Sequence, residues 1–447
     1  MPQDGGGFAA RLLPPAPPRL ATMLIRELTA EDFFPYRRLT TAAFGGRLDE
    51  TQPPSDFPGQ IALGIDATSL PDGAEGILAA GARIREDRIT LGGGVARCGG
   101  IAGLAVHPAH RGDGLFDRLL TSVLARCTQE GMAFSMLYPS HPGIYRRLGY
   151  QVVSQVPSLI VPLVDLQRIR PLPGRRLVAV TEATMPRLHA LYRELSATEN
   201  GMLLREGPLF PSGLPGGGWQ ALLLVDEEGR DHGYLSLTRA ADRSDEVGIS
   251  VHEVLGRTRA DRLELLRSIG SWSTVTELAR LRVSGEDPLL DALPGGRFRP
   301  ESVTVPLVMM RLTDTVAALS ARPAPPGLTG SIRLTIDDAT VPAGTTGAAG
   351  SFEVSAAGGR TQVARVDGAS ADSTGPAGSW QPGAMAGTVE LLGTVRLDIH
   401  AASLLLSGGR SLADAARLGL AVSADPDAGA FLDTLLAGPR PRVMDTF

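Results

Sequence analysis

The chain has no lysine; all 43 of its basic residues are arginine. That absence excludes two chemistries at once. There is no lysine to reach the phosphates of a P-loop and none to form a Schiff base with pyridoxal phosphate. Cysteine is almost missing as well. Cys98 and Cys127 have no metal-ligand spacing and are too few for a disulfide framework. Cys127 falls on the apolar face of an expected helix and reads as a buried thiol. A reducing, cytoplasmic compartment is the parsimonious expectation. No apolar run approaches the length of a membrane span, so no membrane partner is expected. The seven histidines are scattered, none at ligand spacing with cysteine or acids, so no metal is expected. A net charge of −5 gives no electrostatic case for nucleic acid, and it suits a cationic, amine-bearing substrate.

What is present is an ordinary globular composition, 43% hydrophobic and 20% charged, over 447 residues. That length points to about three domains, each able to bury a core. Residues 1–22, with a glycine triplet and Pro14-Pro15-Ala16-Pro17-Pro18, read as a disordered extension ahead of Met23 and not as a signal peptide. A first α/β domain is expected over 23–170. It opens with a strand at 24–28 and a helix capped near Thr29 and running to about Phe44. Strands are expected at 60–66, 76–84 and 88–91. A second α/β domain is expected over 171–320, with the same order of strands and helices. A proline-rich linker from Ala321 to Gly327 then leads into a third domain over 321–447. There, strands at 330–336, 350–355 and 361–366 precede helices at about 398–406 and 411–419, which suggests an α+β layer. The apolar spacing of that domain is the spacing of plain core.

The chemistry is concentrated between Ile101 and Tyr150. Leu104-Ala105-Val106-His107-Pro108 is an apolar run that stops at a proline. His110-Arg111-Gly112-Asp113-Gly114-Leu115 follows, then a helical pattern from Phe116 to about Gln129. A helix N-terminus carries backbone N–H groups without intrahelical partners, and its dipole favours anions. Gly112 and Gly114 let a pyrophosphate approach the backbone, and Arg111 adds a planar cation suited to phosphate. By contrast, the equivalent stretch of the second domain, Leu255-Gly256-Arg257-Thr258, lacks the second glycine. That domain is therefore expected to have no coenzyme site of its own. His107 and His110 flank the first turn and read as solvated or capping residues.

Arg111-Gly112-Asp113-Gly114 resembles part of the signature of the GCN5-related N-acetyltransferases. With Ser140…Gly143-Ile144-Tyr145-x-Arg147-x-Gly149-Tyr150, the stretch Leu307-Val308-Met309-Met310-Arg311-Leu312 and the aromatic end Phe447, the chain resembles the Eis (enhanced intracellular survival) acetyltransferases. The resemblance runs from about Met23 to Phe447. It implies two tandem acetyltransferase-like domains, α/β in class, followed by a sterol-carrier-protein-like α+β domain. It also implies a homo-oligomer, often a hexamer in the family.

The activity it implies is transfer of an acetyl group from acetyl-CoA to an amine of a small polyamine or aminoglycoside-like substrate. Tyr145 would be the general acid and the Phe447 carboxylate the base. Leu104, Ala105 and Val106 would offer strand backbone to the pantetheine arm. Arg111, Gly112, Gly114 and Leu115 would hold the pyrophosphate, and Ser140 would lie near the thioester. Phe44, Asp49 and Glu50 are the expected substrate-side residues, with Asp445 a further candidate acid. Tyr138 and Tyr150 read as packing residues. Gly112 and Asp113 replace two arginines of the family's turn, Gly46 stands where the family has an aspartate, and Thr446 where it has an acid. Acetylation of protein lysines and a non-catalytic carrier are the alternative readings.

Overall fold

The structure is a computed structural model. It describes residues 24–445 except 50, 52, 71–72, 211, 242–245, 285–286, 296–298, 302–305 and 367–389. The 1–22 extension, Glu50 and Phe447 therefore lie outside the described residues. The chain divides into two compact units. One takes in the chain up to Phe57 with Ile61–Arg83 and Gly103–Ser122; the other is Pro58–Gln60, Ile84–Ala102 and Val123–Phe447.

In the first unit, β1 (Ile25–Glu27) pairs antiparallel with β2 (Gln60–Asp66), with Ile25 opposite Ile65. Between them lies α1 (Phe33–Phe44), preceded by a capping box in which Thr29 and Asp32 satisfy each other's backbone. Arg26 ties the start together, bonding Asp32 and Asp66 at 2.7 Å each. β3 (Leu78–Leu91) and β4 (Gly94–Val106) complete the order β1-β2-β3-β4; β3 runs on into the second unit and β4 comes back from it. Two separate strands were expected where β3 is continuous. Arg85 and Asp87 are one pleat period apart and pair at 3.0 Å, so the polar stretch stays in the strand. Leu28, Tyr36, Leu39, Phe57, Ala62, Leu78 and Ala105 form the core here.

α2 (Leu115–Gln129) begins in the first unit and ends in the second. Leu115, Leu119, Leu120, Val123, Leu124 and Cys127 are all at most 1% exposed, the helical stripe its spacing predicts. In the second unit, β4 pairs in parallel with β5 (Phe134–Leu137). α3 (Pro142–Arg146) and β6 (Gln151–Gln155) follow.

The chain then leaves this sheet. β7 (Ser158–Pro162), α4 (Leu163–Gln167), β8 (Arg176–Ala179), α5 (Met185–Ser196), β9 (Gln220–Val225), β10 (Asp231–Arg239), β11 (Val247–Gly256), α6 (Arg259–Gly270), β12 (Leu278–Arg282) and β13 (Arg299–Pro300) build a second sheet. Its order is β13-β7-β12-β11-β10-β9-β8. The succession β8-α5-β9-β10-β11-α6-β12 repeats β1-α1-β2-β3-β4-α2-β5, and in both the helix joins two parallel strands. β14 (Leu307–Leu312) returns to lie between β5 and β6. The divisions expected near 170 and 320 are thus each crossed by a strand: β7 joins the second sheet and β14 the first.

The expected linker is not a loose tether. Within it Arg322 and Ala324 are buried, and the Ala324 N–H bonds the Gly359 carbonyl at 3.2 Å. It follows α7 (Thr315–Ser320). The third sheet comprises β15 (Gly330–Asp337), β16 (Gly350–Ala357), β17 (Arg360–Arg365), β18 (Leu391–Asp398) and β19 (Val422–Ala424), in the order β17-β16-β15-β18-β19. α8 (Ile399–Leu406), α9 (Leu412–Arg417) and α10 (Pro426–Leu435) complete the domain. Mixed α/β sheets and a terminal α+β layer are the fold class expected. α8 is apolar apart from His400 and Ser403 because all of it but His400 is buried; Ser403 accepts the Leu312 N–H of β14 at 3.1 Å. No described helix is long and apolar enough to cross a membrane.

Candidate active site

The glycine turn lies in the first unit. After β4, a single turn from Pro108 to His110 is capped by His107, whose Nδ1 accepts the Ala109 N–H at 3.3 Å. His110 faces Asp113 at 3.8 Å. Arg111 is exposed and extended, with φ −71° and ψ 133°. Gly112 and Gly114 have φ of 99° and 75°, the left-handed region where a Cβ costs about 1–2 kcal/mol. A Cβ built on either would meet nothing within 4 Å, so the space before the helix is open. Leu115 is buried and starts α2.

The strand leading to this turn is also shaped. The β4–β5 ladder ends at Gly100 opposite Met136, yet β4 continues to Val106. Gly103 has φ 58°, and its carbonyl accepts the buried Tyr36 hydroxyl at 2.8 Å. A side chain at 103 would collide with that hydroxyl. Beyond Gly103, Leu104 and Val106 are half-buried and Ala105 is buried. Phe44 is 61% exposed at the end of α1, and Asp49 is exposed, accepting the Thr51 N–H at 3.0 Å.

The tyrosine loop lies in the second unit. Tyr145 sits on α3 and is 6% exposed. Its ring stands edge-on to Tyr150, centroids 6.0 Å apart at 73°. Burial pushes its phenol above the ordinary value, and a hydrogen bond from the exposed Ser140 works against that rise. Ser140 and Tyr145 are thus brought together. Tyr150 is fully buried and shares a 2.6 Å hydrogen bond with Ser135 of β5. Arg311 of β14, also fully buried, locks the loop. Its Nε donates to the Leu148 carbonyl at 2.6 Å and its Nη2 pairs with Asp338 at 2.6 Å. The basic residue inside the apolar stretch 307–312 is therefore a clamp between loop and third domain. A charge in an otherwise apolar strand was the signal for it.

At α6 the helix start is already filled. The Thr258 hydroxyl accepts the Asp261 N–H at 3.1 Å, and the Asp261 carboxylate returns to the Thr258 N–H at 3.1 Å. Asp261 is fully buried and pairs with Arg175 at 3.0 Å. Its own side chain supplies the negative charge that this helix end favours.

Comparison with known proteins agrees with this layout. Residues 24–153 match the acetyltransferase (GNAT) domain, and residues 315–444 match the sterol carrier protein domain. The chain carries a GNAT domain and a sterol carrier protein domain. A GCN5-related N-acetyltransferase from Kribbella flavida superposes with a TM-score of 0.72 at 23% identity, covering 95% of this chain and 99% of that one. One from Anabaena variabilis gives 0.73 at 19%, covering 95% and 100%. Eis1 from Mycobacterium abscessus gives 0.66 at 20%, also covering 95% and 100%. No curated protein matches the sequence. The glycine turn falls within the matched acetyltransferase domain. Among the described residues no group of His, Cys, Asp and Glu could hold a metal ion.

Proposed function

We propose that the chain moves the acetyl group of acetyl-CoA to an amine of a small polyamine or aminoglycoside-like substrate. The observation that carries this reading is the open glycine turn at the start of α2, inside a matched acetyltransferase domain. Arg111, Gly112, Gly114 and Leu115 receive the pyrophosphate, and the backbone of Leu104, Ala105 and Val106 receives the pantetheine arm. Ser140 lies by the thioester. Phe44, Asp49 and Glu50 face the amine substrate. Acetyl-CoA is consumed as a co-substrate, and no metal takes part.

Transfer is direct. The neutral amine nitrogen attacks the acetyl carbonyl carbon; an N–C bond forms and the C–S bond breaks. The Phe447 carboxylate, through water, takes the proton that nitrogen loses. The Tyr145 phenol gives its proton to the departing thiolate, whose pKa is near that of cysteine, about 8.5. A proton then passes through solvent from carboxyl to phenolate, and both groups are restored. Burial raises the Tyr145 pKa, so the phenol holds its proton at neutral pH and gives it up only as the thiolate departs.

The direct test is thiol release from acetyl-CoA with a panel of small amines, set beside lysine peptides. Small-amine turnover supports the reading. Peptide-only turnover would favour protein acetylation, and no turnover a carrier. A short C-terminal extension converts the Phe447 carboxylate to an amide. It should cost about 100- to 10,000-fold in turnover, as for a lost general base.

A further inference from the structure

The segment Arg442–Asp445 runs through the interior of the second unit: Val443 is fully buried and Met444 is 4% exposed. Its approach is held by Asn200, itself fully buried. The Asn200 Nδ2 donates to the Pro439 carbonyl, its backbone carbonyl accepts the Arg442 N–H, and its Oδ1 accepts the Gly92 N–H, each at 2.6 Å.

Further on, one guanidinium serves two carboxylates. Arg205 Nε donates to Asp445 Oδ1 at 2.9 Å, and its Nη1 donates to Glu253 Oε2 at 3.0 Å. Nη2 completes a fork on Glu253. The Tyr192 ring lies 4.1 Å from the guanidinium carbon, and the Tyr234 hydroxyl donates to Glu253 Oε2 at 2.8 Å. Glu253 stands at a bulge of β11, where the register with β10 skips His252. From the other side, the Tyr138 hydroxyl donates to the Asp445 carbonyl at 2.8 Å. Tyr138 is two residues before Ser140.

Such a cluster is an expensive way to stabilise a fold. Well-packed apolar residues of similar volume would often serve as well or better. Burial works to raise the Glu253 carboxyl, and Arg205 with Tyr234 overrides it. At Asp445 burial wins, and its Oδ2 has no hydrogen-bond partner among the described residues. What the cluster does provide is direction, because a forked guanidinium fixes both of its carboxylates.

We infer that Arg205 and Glu253 are positioning residues through which the second sheet seats the chain end and ties it, by way of Tyr138, to the loop carrying Ser140 and Tyr145. The sheet whose helix start is capped by its own side chains thus contributes by holding Asp445. The inference rests on the proposed reading that Tyr145 and the Phe447 carboxylate act in the transfer.

Two mild variants test it. Tyr138→Phe removes one hydroxyl and keeps the ring. Glu253→Gln keeps the shape and loses the charge. Each is checked for a native melting profile, then exposed to carboxypeptidase, with release of the residues after Asp445 followed by intact mass. Loss of one hydrogen bond worth about 1.4 kcal/mol should raise release about 10-fold. Amine-acetylation kcat should fall while the KM for acetyl-CoA holds. Wild-type protection of the chain end in both variants would overturn the inference. Faster release with unchanged kcat would uphold the seat and refute the carboxylate base instead.

Discussion

Two helices of this protein begin in the same place in a repeated order of elements, and they begin differently. α2 opens behind Gly112 and Gly114, both at positive φ, with nothing within 4 Å of where a side chain would be. α6 opens behind Thr258, and the Asp261 carboxylate folds back on the Thr258 N–H at 3.1 Å. Both ends obey one rule: a helix N-terminus takes a negative charge. The first is left open, and in the proposed function a coenzyme phosphate brings that charge. The second has built it in, and buried it beside Arg175. Duplicated topology therefore does not mean duplicated helix starts: a capping box fills one and glycines leave the other open.

This contrast can be broken or sharpened by substitution. Tyr145→Phe should have the largest effect, about a 100-fold loss of turnover with unchanged acetyl-CoA affinity. It keeps the ring against Tyr150 and separates chemistry from coenzyme binding; steady-state kinetics beside calorimetry read both. A pH profile sharpens the same point. Tyr145 acts protonated, and burial raises its pKa above the ordinary phenol value of 10.0, so loss of the acid is deferred to higher pH. An alkaline fall in kcat assigned to Tyr145 should therefore have its midpoint above pH 10, and a midpoint below it would point to another group. Arg111→Ala should weaken acetyl-CoA binding about 10- to 100-fold, the range for a lost charged hydrogen bond. Unchanged affinity would put the pyrophosphate elsewhere. The smallest effect is expected at α6. Thr258→Ala removes its cap and should cost about 1 kcal/mol in denaturant unfolding, with no change in coenzyme affinity.

Much of this was legible in the sequence because local rules governed it. The stripe from Leu115 to Cys127, the cap at Thr29 and the glycine turn follow from spacing and backbone freedom. Ser140 and Tyr145 were marked by resemblance alone, and the hydrogen bond between them had no local sequence signal. Long-range features were not legible. Nothing local says that β7 leaves one sheet and β14 returns to it, because strand partners lie more than a hundred residues apart. Arg322 was hidden in a proline-rich stretch that reads as a linker. Glu253 and Arg311 gave one faint sign each, a charge inside an apolar strand. That sign marks burial with a partner but does not name the partner. Tyr138 and Tyr150 read as packing residues; both also make hydrogen bonds that position the site loops.

The account stands most directly on how many acetyl-CoA molecules one chain binds. Titration calorimetry of the intact protein should give one site per chain, abolished or much weakened by Arg111→Ala and untouched by Thr258→Ala. A stoichiometry of two, or one site that responds to Thr258→Ala and ignores Arg111→Ala, would contradict it.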